Sequence, residues 1–159
     1  MAKERNKYIP ASYLVLIRDD KILLQRRFNT GFQDGKYSLP AGHADKGENF
    51  TKAIIRETKE EIGVDLKQKD LRVIHVMCRD SRADYPQGVN EGINERVDVF
   101  FTTKKWQGHI EIKESNKCDD LSWFDLSNLP DNIIPYIRQV VDCIKNKTFY
   151  SEFGWENLK

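Results

Sequence analysis

One segment, residues 49–63, constrains the fold most, because it has both the periodicity and the ends of an amphipathic helix. Asn49 is a residue type that accepts the first free backbone amides of a helix, and Gly63 is the type that most often follows a helix end. At about 100° per residue, one sector of this segment collects the side chains expected to face the core, Ile54, Ile55, Thr58 and Ile62. The sequence therefore predicts a helix over 49–62 with one buried face.

Three glutamates occupy an adjoining sector of this predicted helix. Glu57, Glu60 and Glu61 stand at i, i+3 and i+4, where like charges repel by roughly a few tenths of a kcal/mol per pair. Two interpretations fit this spacing. The triad is either a solvated acidic stripe in which Arg56 pairs with Glu60, or a set of oxygen ligands for a hard divalent cation.

The composition indicates a globular chain without the charge needed to hold a polyanion. Of 159 residues, 39% are apolar and 32% charged, and the net charge is +1. This balance predicts no stable nucleic-acid binding, so a polyphosphate ligand would need local positive charge, most simply a metal ion. The apolar run 13–17 is too short for a signal or membrane segment, and the three cysteines form no CxxC pair. We therefore expect a cytoplasmic protein that does not associate with membranes.

The order of predicted elements indicates an α/β sandwich with a mixed sheet between helices, in a single domain over residues 1–159. Predicted strands cover 11–17, 21–27, 71–79, 96–103, 108–112 and 120–124, and a second helix covers 133–146. Asp19 and Asp20 are expected to form a tight turn between the first two strands, and 80–95 reads as a long polar loop. The aromatic stretch 149–155 is expected to pack back on the domain or on a partner subunit.

Residues 42–64 resemble the Nudix box, the signature of a family of hydrolases. That motif reads G, five residues, E, seven residues, then R-E-U-x-E-E-x-G-U, where U is a bulky aliphatic residue. The seven fixed positions are filled in register by Gly42, Glu48, Arg56, Glu57, Glu60, Glu61 and Gly63, and Val64 takes the last aliphatic position. At average residue usage, such a match arises by chance on the order of once in 10⁸ start positions. Thr58 replaces the usual aliphatic residue, which leaves the acidic face unchanged.

The resemblance implies an α/β/α sandwich with a central mixed sheet and assigns roles to the box residues. It implies that Mg²⁺, with Mn²⁺ able to substitute, is held by Glu57, Glu60 and Glu61 and by the carbonyl of Gly42. Arg56 would orient a box glutamate. The implied reaction is attack of a metal-activated water on phosphorus, with one carboxylate as general base. Candidates for that base are Glu57, Glu61 and, outside the box, Glu95.

Segments outside the box are similar to MutT-like members of the family, which act on nucleoside triphosphates. The stretch 77–80 lacks the proline that ADP-ribose hydrolases usually carry, and Tyr85 lies beyond the position typical of dinucleoside polyphosphate enzymes. By elimination the favoured substrate is a nucleoside triphosphate, standard or oxidised, cut to monophosphate and pyrophosphate. ADP-ribose, another nucleotide sugar, a dinucleoside polyphosphate, or a non-catalytic nucleotide-binding role stay open as alternatives.

The resemblance also suggests which side chains contact this nucleotide. Candidates for base contact are Asp131 and Asn132, at the start of the second helix, and the aromatic side chains of Trp123 and Phe124. Candidates for phosphate contact are Arg26, Arg27 and Arg79, with a solvated surface charge as the alternative for each. Homodimer formation is compatible with the resemblance, because many relatives dimerise.

Overall fold

The computed structural model describes residues 1–84 and 92–156, and its central feature is a five-stranded mixed sheet. The strands are β1 (Ile9–Val15), β5 (Ala41–His43), β6 (Arg72–Asp80), β7 (Glu95–Thr102) and β9 (Tyr150–Phe153). Their order is β5-β1-β7-β6-β9. β1 runs parallel to β7 and β6 parallel to β9, whereas β5 and β6 run antiparallel to β1 and β7, respectively.

A smaller antiparallel sheet is built around one long strand. Its members are β2 (Ile17–Arg18), β3 (Lys21–Arg27), β4 (Tyr37–Ser38) and β8 (Cys118–Asp125). β3 pairs with each of the other three. The predicted turn between the first strands is confirmed, because Asp19 and Asp20 both have positive φ, at 52° and 58°.

Two helices cover opposite faces of the five-stranded sheet. Helix α1 (Phe50–Ile62) buries an apolar side in one cluster, which includes Leu14, Ile54, Ile62, Val99 and Phe101. Helix α2 (Pro135–Lys145) buries its own in a second cluster, which includes Ala11, Tyr13, Phe100, Ile137 and Val140. The predicted α/β/α sandwich is therefore confirmed. Within the described residues, no helix has the length and apolar character needed to cross a bilayer.

Helix α1 has the ends that its sequence predicts. The Asn49 side chain accepts a hydrogen bond from the Lys52 amide at 2.9 Å. At the other end Gly63 is left-handed, with φ 76°, and its amide donates to the Lys59 carbonyl. These two residues determine where the helix begins and ends, and so which side of it carries the glutamates.

The predicted strand at 108–112 is wrong. The amides of Glu111 and Lys113 instead donate to the carbonyls of Ile62 and Glu61, at 3.1 and 3.0 Å. Carbonyls in the last turn of a helix lack partners within the helix, and this segment supplies them. The alternating Ile110 and Ile112 that suggested a strand therefore belong to an irregular segment.

Two further segments differ from the sequence-based expectation in detail. The aromatic tail packs on its own chain, where β9 extends the sheet and Trp155 donates from Nε1 to the Cys78 carbonyl at 2.9 Å. In the predicted loop 80–95, residues 81–84 form a single 3₁₀ turn. Tyr85, like the rest of 85–91, lies outside the described residues.

Candidate active site

An acidic cleft of about 420 Å³ lies between the second half of α1, strand β5 and the segment before β8. Its described lining carries five carboxylates, those of Asp45, Glu57, Glu60, Glu61 and Glu114. Arg27 and Lys117 add positive charge to the same wall. The cleft thus brings together the three predicted glutamates, Gly42 and one of the predicted phosphate contacts.

Arg56 ties the start of the predicted box to its acidic face. Its Nε and Nη2 donate to the two carboxylate oxygens of Glu48, at 2.8 and 2.9 Å. Its Nη1 donates to Glu57 at 2.8 Å and to Glu60 at 3.3 Å. The hydrogen bonds from Arg56 lower the pKa of Glu48 to about 2. One guanidinium therefore fixes the positions of several carboxylates at once.

Gly42 lies directly against the side chain of Glu57. A Cβ added at Gly42 would sit 2.0 Å from both Cδ and Oε1 of Glu57. Only a residue without a side chain leaves room for this carboxylate between α1 and β5. The glycine of the box is thus required by packing against the acidic face.

Glu61 is the most deeply set carboxylate of the cleft. Its Oε2 accepts from the Ala41 amide at 2.9 Å and from the Gln25 side chain at 3.2 Å. Burial raises the pKa of Glu61 to about 8, with a further contribution from the negative charge of Glu57. Burial also raises the pKa of Glu57. A cation in the cleft would stabilise the ionised forms of these two neighbouring carboxyl groups.

The carboxylates of the cleft are suitable ligands for a hard divalent cation, although some of their oxygens accept hydrogen bonds from other protein groups. Among the described residues, no three His, Cys, Asp or Glu side chains are arranged as ligands of one metal ion. One oxygen each of Glu57 and Glu60 accepts from Arg56, and Oε2 of Glu61 accepts from Ala41. Carboxylate oxygens crowded in one cleft are nevertheless the ligands that Mg²⁺ and Mn²⁺ take, with waters and phosphate completing the shell.

Two of the other predicted site residues lie away from this cleft. Glu95 opens β7, and its carboxylate is 3.6 Å from the Arg82 guanidinium. Arg26 pairs with Asp119 at 2.7 Å on the surface. Arg27, next to Arg26 in sequence, does face the cleft.

The predicted base contacts also have partners elsewhere. Trp123 packs on the α1 side of the molecule, with the guanidinium of Arg18 4.9 Å from its ring centroid. Phe124 packs edge-on against Tyr37 at 4.8 Å. Asn132 donates to the Gly35 carbonyl at 2.8 Å, and Asp131 beside it is exposed. The structure does not bring these four residues to the acidic cleft.

Sequence reasoning missed Glu114 and Lys117 as cleft residues. Glu114 lies in an irregular segment without periodicity, so no local signal marks it. Its position follows from the two backbone hydrogen bonds of Glu111 and Lys113 to the end of α1. Glu114 is close enough to Glu57 and Glu61 for its charge to contribute to their raised pKa values.

Residues 7–142 match the family model described as NUDIX domain. An ADP-ribose pyrophosphatase of Methanocaldococcus jannaschii is 29% identical over 134 residues, which cover 84% of this chain and 71% of that protein. An NAD-capped RNA hydrolase, NudC, of Pseudomonas aeruginosa is 26% identical over 121 residues. The match covers 76% of this chain but 37% of NudC, so most of that protein has no counterpart here.

Solved structures share the fold at low sequence identity. A MutT NUDIX hydrolase from Burkholderia pseudomallei superposes with a TM-score of 0.71 at 22% identity, covering 86% of this chain and 98% of that one. A MutT protein from Methanosarcina mazei Go1 has a TM-score of 0.71 at 17% identity, covering 91% and 98%. At these identities the likeness concerns the fold alone.

Proposed function

This chain belongs to the Nudix family of hydrolases, and from that premise we propose that it cuts nucleoside triphosphates to monophosphate and pyrophosphate with Mg²⁺. The observation that carries the proposal is the acidic cleft. It is lined by Glu57, Glu60, Glu61 and Glu114, and also by Arg27 and by Lys117, whose Nζ lies 3.3 Å from the Glu114 carboxylate. Carboxylates suit a divalent cation and the two cations suit phosphate oxygens, so the cleft can hold both partners of a metal–phosphate complex.

The residues in and around the cleft have different roles in the proposed reaction. A bound divalent cation would neutralise phosphate charge and lower the pKa of a water. Arg56 holds Glu57 and Glu60 in place. Glu61 is suited to be the general base, because a cation in the cleft would offset the burial that raises its pKa and keep its carboxylate ionised, ready to take the proton of a water. The proton would go to Oε1, since Oε2 is bonded to Ala41. Water oxygen then bonds to phosphorus as the bridging P–O bond breaks, and pyrophosphate leaves.

ADP-ribose is the second candidate substrate. The relative from Methanocaldococcus jannaschii is named for that activity and matches most of this chain. Against it, residues 77–80 read Met-Cys-Arg-Asp, without the proline that the resemblance leads us to expect of ADP-ribose hydrolases. Both candidates carry a diphosphate, so the acidic cleft accommodates either, and the difference must come from the groups at its ends.

A substrate screen with a matched pair of variants tests the proposal. The purified chain is offered standard and oxidised triphosphates, ADP-ribose, nucleotide sugars, dinucleoside polyphosphates and NAD-capped RNA, with Mg²⁺, Mn²⁺ or EDTA. Phosphate is read with and without added pyrophosphatase, which identifies pyrophosphate as the product. Glu60→Gln is compared with Lys52→Gln, since both positions are exposed on α1.

We expect triphosphate turnover that EDTA abolishes and that Glu60→Gln lowers by at least about a hundredfold. Lys52→Gln should stay within about twofold of the wild type, as substitutions at exposed positions usually do. Full activity in Glu60→Gln would show that the acidic cleft is not the active site. Turnover of ADP-ribose alone would replace the triphosphate with the second candidate.

A further inference from the structure

A second cavity shares a wall with the acidic cleft. Its volume is about 270 Å³, and it lies against strands β1, β6 and β7 and the start of α2. Arg27 and the β5 residues Ala41, Gly42 and His43 line both cavities. A ligand seated in the acidic cleft can therefore extend past β5 into this second cavity, which we call the basic pocket.

The basic pocket has the opposite charge from its neighbour. Its polar lining consists of side chains that can donate hydrogen bonds, namely Tyr13, Arg27, Ser38, His43, Arg79, Ser81, Arg96 and Tyr136. Among the described residues that line it, none is Asp, Glu, Asn or Gln. A ligand that fits such a lining presents acceptors, and the guanidinium groups of Arg27 and Arg96 favour a negatively charged one.

Of the three arginines, two form no ion pair with a carboxylate among the described residues. Arg79 is buried and is neutralised, because it forms ion pairs with Asp84 and, at 2.7 Å, with Asp98. Arg27 donates instead to the Phe32 carbonyl and the Thr30 hydroxyl, and Arg96 to the Ile93 carbonyl. Within the part of the chain that the structure describes, neither Arg27 nor Arg96 pairs with an acidic side chain.

Strand pairing places Arg96 beside Arg79 in the lining of the basic pocket. Arg79 and Arg96 are direct partners across the β6–β7 ladder, so both side chains lie on the same face of the sheet. Because Asp84 and Asp98 neutralise Arg79, the positive charge at this pair of positions is that of Arg96. A negatively charged ligand in the basic pocket would pair with Arg96, and arginine forks match the oxygens of a phosphate.

We propose that the basic pocket binds a phosphate group of the substrate that lies beyond the diphosphate held in the acidic cleft, with Arg96 as a specificity-determining residue. This inference rests on the proposed function, because it assigns a ligand to the neighbour of the proposed active site. Two sources supply such a phosphate. One is the terminal phosphate of a nucleoside triphosphate, and the other is a phosphate on the sugar of a nucleotide.

The first test measures binding without catalysis. Inorganic tripolyphosphate is titrated calorimetrically into the protein in EDTA, where the carboxylates of the acidic cleft repel it. Arg96→Gln removes the charge, and Arg72→Gln is the control, since Arg72 is exposed at the far end of the same strand pair. We expect Arg96→Gln to weaken binding about tenfold and Arg72→Gln to leave it within about twofold.

The second test identifies the source of the phosphate from KM values. A nucleoside triphosphate, ADP-ribose and ADP-ribose 2′-phosphate are compared, because ADP-ribose has no phosphate beyond its diphosphate. We expect the rise in KM in Arg96→Gln to be about tenfold larger for the phosphate-bearing substrate than for ADP-ribose. An effect confined to the triphosphate assigns the terminal phosphate, and one confined to the 2′-phosphate assigns the sugar phosphate.

Two results would overturn the assignment of the basic pocket. One is tripolyphosphate binding that is unchanged in Arg96→Gln or equally weakened in Arg72→Gln. The other is an equal rise in KM for all three substrates. Failure of the proposed function is distinct, because a chain that cleaves no diphosphate in Mg²⁺ can still bind tripolyphosphate in EDTA through Arg96.

Discussion

Replacing Gly42 with alanine would test whether the acidic cleft works through the placement of Glu57. The added Cβ would lie 2.0 Å from Cδ and Oε1 of that side chain, where ordinary contact requires about 3.4 Å. The backbone of Gly42 is not in the left-handed region that strains alanine, so the substitution acts on the side chain that it meets. Glu57 can give way by rotation of its flexible side chain, in which the Cγ, 2.4 Å from the added Cβ, must move together with the carboxylate.

The size of the effect follows from that displacement. The carboxylate must retreat by about 1.4 Å, the difference between the two contact distances. Misplacement of a catalytic group by about 1 Å costs on the order of a hundredfold in rate. The fold should lose little, because Glu57 keeps about one-sixth of its side chain exposed and can move toward solvent. We expect kcat to fall about a hundredfold while the unfolding free energy changes by less than about 1 kcal/mol.

The assay compares Gly42→Ala, Glu57→Gln and the double variant, each with kcat measured in Mg²⁺ and stability from urea unfolding. If alanine acts by moving Glu57, the double variant should be no slower than Glu57→Gln alone, because the displaced group is already disabled. Losses that multiply in the double variant would refute the reasoning. So would an activity loss in Gly42→Ala that merely follows a fall in stability.

Two further predictions concern stability. Burial lowers the pKa of His75 in the folded state, so its contribution is present above the unfolded value of about 6.5 and is lost as the pH falls from there through the lower folded pKa. The difference in unfolding free energy between wild type and His75→Gln should therefore shrink as the pH falls from 7.5 to 5.5, by at most about 1.4 kcal/mol per pH unit, and a constant difference would contradict this. Gly63→Ala should cost about 1 to 2 kcal/mol in thermal unfolding, because Gly63 has φ 76° and alanine is strained there. An unchanged melting temperature would show that the left-handed end is not needed.

The sequence predicts α1 well because local interactions determine it. Asn49 and Gly63 act on backbone groups within one turn, and the spacing of the glutamates follows from helical geometry. The same locality makes the Asp19–Asp20 turn predictable. The sandwich follows at a coarser level from the order of strands and helices, since each element must bury one face.

Features that depend on distant parts of the chain escape this reasoning. Ile110 and Ile112 alternate as in a strand, but the amides near them bond to the end of α1. Glu114 enters the cleft through those same bonds, and Arg79 and Arg96 meet only because β6 pairs with β7. Asn132 is a residue type that can contact a base, but its side chain instead donates to the Gly35 carbonyl. Each outcome depends on strand pairing or packing across many residues, which periodicity does not encode.

Strand β9 also bears on how the chain behaves at high concentration. Without β9, strand β6 would be the outer strand of the central sheet. The Val76 amide, which now donates to the Phe149 carbonyl, would then have no strand partner at that edge. A long open edge of this kind recruits strands from other molecules and leads to aggregation. β9 replaces that edge with one of four residues whose Glu152 is exposed, and short charged edges resist such pairing. We therefore expect that shortening the chain before residue 149 makes it prone to self-association while leaving the carboxylates of the acidic cleft in place.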